Sequence, residues 1–206
     1  MSEKYKFDTM SLHSGHVPDK ETGSRAVPIY QTTSYVFKDT DEAAALYNME
    51  VGGHLYTRIS NPTIATLEQR LASLDGGVSC VACSSGMAAM HLVVTAICSS
   101  GDHIVASNKM YGANINLLQH TMTRFGIETT FVNPNNLEEI EKAIKPNTKL
   151  VFGEVIGNPG LDVMNVPEVA KICKKKNVPL AIDATFNTPY LMKPITYGAN
   201  IVIHSL

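Results

Sequence analysis

The chain has 206 residues, 44% of them apolar and 17% charged, with a net charge of −2. That balance allows one large domain with a sizeable core, and it argues against a nucleic-acid surface. The richest apolar run, Met87 to Cys98, contains His91 and is too short to cross a bilayer, which needs about 20 residues. The start, Met1-Ser2-Glu3-Lys4-Tyr5-Lys6, is polar and unlike a signal peptide, so the expectation is a soluble cytoplasmic protein.

Residues 1–55 lack sustained periodicity and contain Gly15, Pro18, Gly23, Pro28, Gly52 and Gly53. One short helix is expected from Thr40 to Tyr47, capped by Asp39 or Thr40. "AVPIYQTTSYVF" is too apolar for a disordered tail, so this segment reads as an arm that packs on a partner subunit. Regularity begins at Asn61-Pro62, a cap followed by a proline suited to the first helical turn. Ile64, Leu67, Leu71 and Leu74 recur at helical spacing, and Gly76-Gly77 ends the helix.

From there strands and helices alternate. Strands are predicted at Ser79–Ala82, His103–Ser107, Thr129–Val132, Leu150–Glu154, Leu180–Asp183 and Ile201–His204. Helices are predicted at Met87–Ile97, Ile115–Phe125, Leu137–Ile144 and Pro167–Lys176. Short apolar strands between helices imply an α/β fold with a largely parallel sheet covered on both faces. Lys174-Lys175-Lys176 reads as a solvated helix end. Cys80-Val81-Ala82-Cys83 has C-x-x-C spacing, but on a strand the two thiols would point to opposite faces. Core cysteines are therefore expected, and no metal site.

Ligands of open parallel sheets bind at the carboxyl ends of the strands. Those ends are Ser84 to Met87, Tyr111-Gly112, Glu154 to Asn158, Asp183 to Thr185 and His204-Ser205. "CSSGMAAMHLVV" is a small-residue turn opening an apolar helix, an anion site or an ordinary cap. "VPLAIDATF" ends a buried strand on Asp183, a turn aspartate or a carboxylate facing a cationic ligand group. "HLYTRISNPT" carries Tyr56 and Arg58, whose guanidinium suits a phosphate or an open surface. Tyr111 offers a ring for stacking. Together these match the needs of pyridoxal phosphate: a phosphate cup, a partner for the pyridinium nitrogen and a stacking ring. A nucleotide-binding domain is the rival, disfavoured because neither G-x-G-x-x-G nor G-x-x-x-x-G-K-S/T occurs.

At this point the sequence resembles the Cys/Met-metabolism family of pyridoxal phosphate enzymes, which includes O-acetylhomoserine sulfhydrylase, cystathionine γ-synthase, cystathionine lyases and methionine γ-lyase. The matching stretches run in order from about Leu12: "PIYQTTSYVF", "YTRISNPT", "LEQRLASLDGG", "SSGMAAM", "GDHIVASNKMYG", "EVIGNPGLDV" and "IDATFNTPYLMKPITYGANIVIHS". The resemblance implies a fold type I transferase-like large domain over residues 56–206, preceded by the intersubunit arm of residues 1–55. It implies that Ser85, Gly86, Met87 and Ser205 hold the cofactor phosphate, helped by Tyr56 and Arg58 of a neighbouring subunit. By the same resemblance Tyr111 stacks on the ring and shuttles protons, Asp183 pairs with the ring nitrogen, Asn158 approaches the ring hydroxyl and Thr185 lies by the other face. Tyr111 and Asp183 are the catalytic candidates.

The family pattern Ser, any residue, Thr, Lys places a Schiff-base lysine two positions beyond Leu206, and a C-terminal domain after it. Leu206 is therefore not expected to be a natural end. By themselves the 206 residues would be a non-catalytic cofactor-binding fragment. The family commonly reads Asp-Asn-Thr where this chain has Asp183-Ala184-Thr185, which implies a local hydrogen-bond change. Ala113 stands where methionine γ-lyases commonly carry cysteine, and "GHLYTRISNPT", "MYGANINLL" and "EVIGNPGLDVMN" resemble the sulfhydrylase branch. The expected reaction is γ-replacement on an O-acylated homoserine by sulfide or a thiol, in a homotetramer of methionine metabolism. Methionine γ-lyase and the cystathionine enzymes are the alternatives.

Overall fold

The computed structural model describes residues 5–206. The polar start at Met1-Ser2-Glu3-Lys4 lies outside them. The chain divides into two compact units, one up to Ala82 and one from Cys83 to Leu206.

In the first unit, α1 (Phe7–His13) packs against α3 (Pro62–Asp75). No helix was expected at residues 7–13. Seven residues span too few turns for a periodic signal, and none of α1 is buried. α2 (Thr40–Tyr47) starts where the sequence placed it, with the Asp39 carboxylate accepting the Glu42 N–H at 2.8 Å. α3 is capped by Asn61 and closed by Gly76 at φ +77°, a left-handed position that favours glycine. Asn61 is more than a cap. Its Oδ1 accepts the Thr63 N–H, while its Nδ2 donates to the Tyr30 carbonyl, the Tyr35 hydroxyl and the Thr57 hydroxyl. One buried amide thereby ties residues 30–35 to the start of α3.

The second unit holds α4 (Gly86–Ile97), β1 (His103–Ser107), α5 (Gly112–Asn116), β2 (Glu128–Val132), α6 (Leu137–Ala143), β3 (Thr148–Glu154), α7 (Val166–Lys176), β4 (Leu180–Asp183), α8 (Thr188–Leu191) and β5 (Ile201–Ile203). The five strands are all parallel, in the order β2-β1-β3-β4-β5. Alternate residues of each strand go to opposite faces. Val105, Val151, Leu180 and Ile182 pack in one apolar cluster with α6 and α7. Ile104, Ala106, Leu150 and Phe152 pack in the other, with α4 and α5. Both faces are covered, which is why these strands read as continuous apolar runs.

The helix expected at Ile115–Phe125 begins earlier, as α5, and continues as a π-helix over Leu117–Met122. α7 ends at Asn177 in the left-handed region, and its last-turn lysines complement the helix dipole. Lys175 and Lys176 both reach Glu141, at 2.9 and 3.5 Å. α8 and a 3-10 turn at Pro194–Tyr197 were not anticipated.

Two expectations are corrected. Ser79–Ala82 is not a strand. Its backbone has no ladder partner among the described residues, and the Ala82 N–H is taken by the Glu68 carboxylate at 2.8 Å. Val78 and Val81 are exposed, so an apolar run without a neighbouring edge does not make a strand. Consequently Cys83 is exposed and Cys80 only half-buried, and neither is a core cysteine. Cys98 and Cys173 are buried, and burial pushes their thiols up to about 11 and about 12.

At the opposite end of β1 from its carboxyl end, His103 is fully buried. Its two ring nitrogens meet the hydroxyls of Thr148 and Thr130, each at 2.8 Å. The ring thus bridges β3 and β2 across β1. Burial lowers its pKa below 6.5, the Lys145 charge adds to this, and Glu128 opposes it. A depressed folded pKa means that the neutral ring supports the fold. That contribution is present above the unfolded pKa and is lost as the pH falls through the folded one. Denaturation midpoints of the wild type should therefore drop between about pH 7 and about pH 5 more steeply than those of His103→Gln. Parallel pH dependences would show that His103 does not couple to folding.

Candidate active site

The strand order changes direction between β1 and β3, since the chain passes from β1 to β2 on one side and then to β3 on the other. Open parallel sheets bind ligands outside the carboxyl ends of the strands at such a point. A cavity of about 280 Å³ lies there. Four of the five strand ends contribute, all but that of the edge strand β2. Tyr111 and Asn114 follow β1, Glu154 closes β3 and leads to Ile156 and Asn158, Asp183 closes β4 and leads to Thr185 and Phe186, and Ser205 follows β5. Ser85, Gly86 and Met87 complete the wall from the start of α4.

The start of α4 is built from small residues for a steric reason. A Cβ at Gly86 would meet the Ser205 Cβ at 2.7 Å and its Oγ at 2.9 Å. Only glycine lets the helix begin this close to the end of β5. The Ser85 hydroxyl caps the helix by accepting the Ala88 N–H at 3.1 Å, and the Ala89 N–H bonds the Ser85 carbonyl. The N–H groups of Gly86 and Met87 come before the first intrahelical bond, so they point out of the helix beside the Ser205 hydroxyl. Two free donors, a hydroxyl and the positive end of a twelve-residue helix suit an anion such as phosphate.

Asp183 is half-buried and held rigidly. Its Oδ1 accepts both the Thr185 N–H at 2.9 Å and the Thr185 hydroxyl at 2.6 Å. Thr185 in turn accepts the Ser205 N–H at 3.0 Å, which links the carboxylate to the end of β5. Tyr111 leaves about half of its surface open, and Asn158 is half-buried. Ala184 is fully buried in the apolar cluster beneath the site.

Eight of the ten residues singled out in the sequence line this one cavity: Ser85, Gly86, Met87, Tyr111, Asn158, Asp183, Thr185 and Ser205. Tyr56 and Arg58 belong to the first unit and are not part of that lining. There the Arg58 guanidinium stands 5.5 Å from the centre of the Tyr56 ring, a cation–π contact. Tyr56 also bridges to Ser34 as an antiparallel pair.

Sequence reasoning did not single out Asn114 or Phe186, and it included Glu154 and Ile156 only in the strand-end stretch Glu154 to Asn158, with no role. Glu154 is the notable residue left without a role. It is buried, and its Oε1 accepts the Tyr111 N–H at 2.7 Å. Burial, opposed by that Tyr111 bond and reinforced by the Asp183 charge, pushes its pKa up to about 7. The signal was present in "LVFGE", an apolar strand ending on one acid, the same pattern that marked Asp183.

The cavity fits pyridoxal phosphate. It has a phosphate cradle that a Cβ would fill, a fixed carboxylate for a pyridinium nitrogen and a half-open aromatic ring. Among the described residues there is no cluster of three metal-ligating side chains, and no helix is long and apolar enough to cross a membrane.

Comparison with known proteins agrees with this reading. A family model described as "Cys/Met metabolism PLP-dependent enzyme" matches residues 8–206. An O-acetyl-L-homoserine sulfhydrylase of Leptospira meyeri is 46% identical over all 206 residues, which cover 47% of that protein. An L-methionine gamma-lyase of Fusobacterium nucleatum is 38% identical, again over the whole chain, and 52% of it is covered. Among solved structures, one described as an O-acetylhomoserine (thiol)-lyase of Campylobacter jejuni superposes with a TM-score of 0.95 at 38% identity. That match covers 98% of this chain and 49% of the other, which carries a pyridoxyl-lysine phosphate. The chain thus spans about half the length of the relatives it matches. With this fold, this cavity and a family match over nearly all its length, the chain belongs to the pyridoxal phosphate-dependent enzymes of cysteine and methionine metabolism.

Proposed function

We propose that this chain forms the cofactor-binding large domain of an enzyme that exchanges the acyloxy group of an O-acylated homoserine for sulfide or a thiol. The observation that carries the reading is the phosphate cradle at Gly86 and Ser205 in one cavity with the fixed Asp183 carboxylate. When bound, pyridoxal phosphate supplies the electron sink for proton removal at Cα and Cβ of an amino acid. The residues of this chain hold and orient it. Gly86 and Met87 donate backbone N–H groups to the phosphate, and the hydroxyls of Ser85 and Ser205 stand beside them. Asp183 holds a proton on the ring nitrogen, and Thr185 fixes the carboxylate that does so. Tyr111 stacks on the ring and moves protons, while Asn158 faces the ring hydroxyl. In the net reaction the Cγ–O bond breaks, a Cγ–S bond forms, and the thiol proton leaves with the carboxylic acid.

The choice of the sulfhydrylase branch is supported by the higher identity to the Leptospira protein and by Ala113 directly after Tyr111-Gly112. Its test is an assay of the full-length protein with O-acetylhomoserine and sulfide, expected to yield homocysteine and acetate. Release of ammonia and a keto acid from methionine, with no homocysteine made, would instead favour the lyase reading supported by the Fusobacterium relative.

The reading extends to a cytoplasmic homotetramer in which Tyr56 and Arg58, directly after the arm of residues 1–55, reach the phosphate of a neighbouring subunit. Bidentate arginine contacts to phosphate are strong. Arg58→Ala should therefore weaken cofactor retention by roughly ten-fold. Mixed with a variant disabled at Asp183, it should regain part of the lost activity in hybrid oligomers. Hybrids that stay inactive would sink the shared site.

A further inference from the structure

Glu154 is an expensive group to keep where it is. It is 7% exposed, and the contacts seen around its carboxylate are dipoles rather than cations. Beside it on the sheet stands another acid, because Glu154 of β3 and Asp183 of β4 are register partners. A buried carboxylate of this kind, facing a like charge, contributes little to stability, and an apolar side chain of the same volume would serve the core as well. Its bonds give it a different use. Oε1 accepts the Tyr111 N–H at 2.7 Å and the Asn114 side-chain amide at 3.4 Å, and the Asn158 backbone N–H lies near enough to favour the charged carboxylate. One side chain therefore joins the loop after β1 to the turn after β3.

The same two segments touch a second time. A Cβ at Gly157 would run into the carbonyl oxygen of Lys109, two residues before Tyr111. Tyr111 itself opens α5 without any side-chain cap of its own. The bond to Glu154 is the contact that fixes its backbone from across the cavity.

We infer that Glu154 is the positioning residue that sets the Tyr111 ring and the Asn158 side chain against the bound cofactor, by clamping the β1 loop to the β3 turn at the strand ends. The inference rests on the pyridoxal phosphate reading of the cavity. It assigns Glu154 no contact with the reacting atoms.

The experiment uses the full-length holoenzyme and reads cofactor retention together with the induced circular dichroism of the cofactor's visible band. Four variants are compared: Glu154→Met, Glu154→Gln, Tyr111→Ala and the Glu154→Met/Tyr111→Ala double variant. Met fills the volume but accepts nothing. It should weaken retention by roughly ten-fold and flatten the dichroic band. Gln keeps an acceptor for the Tyr111 N–H and should recover most of both signals. In the double variant the losses should be far from additive, because Glu154 acts through Tyr111. Should Glu154→Met not fold, Glu154→Asp replaces it. That change withdraws the carboxylate by one methylene and should give the same loss. Met or Asp variants with wild-type band and retention, or additive losses in the double variant, would overturn the inference. Failure of the underlying reading looks different. The wild type would then bind no pyridoxal phosphate, or Tyr111→Ala would leave the band untouched.

Discussion

Asp183→Asn should lower the turnover of the full-length enzyme by roughly a hundred- to a thousand-fold while leaving the fold intact. The substitution separates charge from shape. Asn retains an oxygen that can accept both bonds now made by Thr185, at 2.9 and 2.6 Å, so the loop after β4 keeps its geometry. What disappears is the negative charge that would hold a proton on the cofactor's ring nitrogen. A nearby opposite charge shifts a titrating partner by about 1–3 pK units, and breaking a largely buried pair costs several kcal/mol. The ring is a good electron sink only when that nitrogen is protonated. The check is the rate of Cα-proton exchange with solvent, measured with the visible spectrum of the bound cofactor. Exchange within a few-fold of wild type would mean that Asp183 is a structural cap of the Thr185 turn and nothing more.

The largest loss of stability is expected at the centre of the sheet, where Phe152→Ala should cost about 3–5 kcal/mol. Phe152 is fully buried on β3, within the cluster that also holds Ile104, Leu150 and Leu118. β3 lies between β1 and β4, so its backbone cannot move inward to fill the space without breaking two ladders. The removed ring would leave a cavity that close-packed neighbours cannot close. Against a total stability of about 5–15 kcal/mol, a loss of that size is a large share. Chemical denaturation of the cofactor-free protein measures it directly. A midpoint unchanged from wild type would show that the second cluster contributes little to folding.

Glu154 shows where reading the chain by itself reaches its limit. The acid at the end of an apolar strand was visible, and so was its likeness to Asp183. Its partner was not. Tyr111 lies 43 residues away, and only the parallel pairing of β1 with β3 brings the Tyr111 N–H to the carboxylate. Ser79–Ala82 failed for the related reason that a strand needs an edge, and sequence periodicity says nothing about the edge. Cys83 followed it to the surface.

What the sequence determined by itself was local. Asp39, Asn61 and Ser85 cap their helices because a short polar side chain can accept a free N–H within three residues. The central strands β1, β3 and β4 were legible because both of their faces are buried, which demands nearly unbroken apolar runs. Five cavity residues, Tyr111, Asn158, Asp183, Thr185 and Ser205, were legible because they follow where strand runs stop, and Ser85, Gly86 and Met87 because a small-residue turn opens an apolar helix. The tertiary structure decided which strand ends meet. It brought Gly86 so close to Ser205 that no Cβ fits, and it buried Glu154 beside Asp183. Those contacts depend on strand order and register, and such long-range choices are set by the packing of the whole sheet rather than by neighbours in the chain.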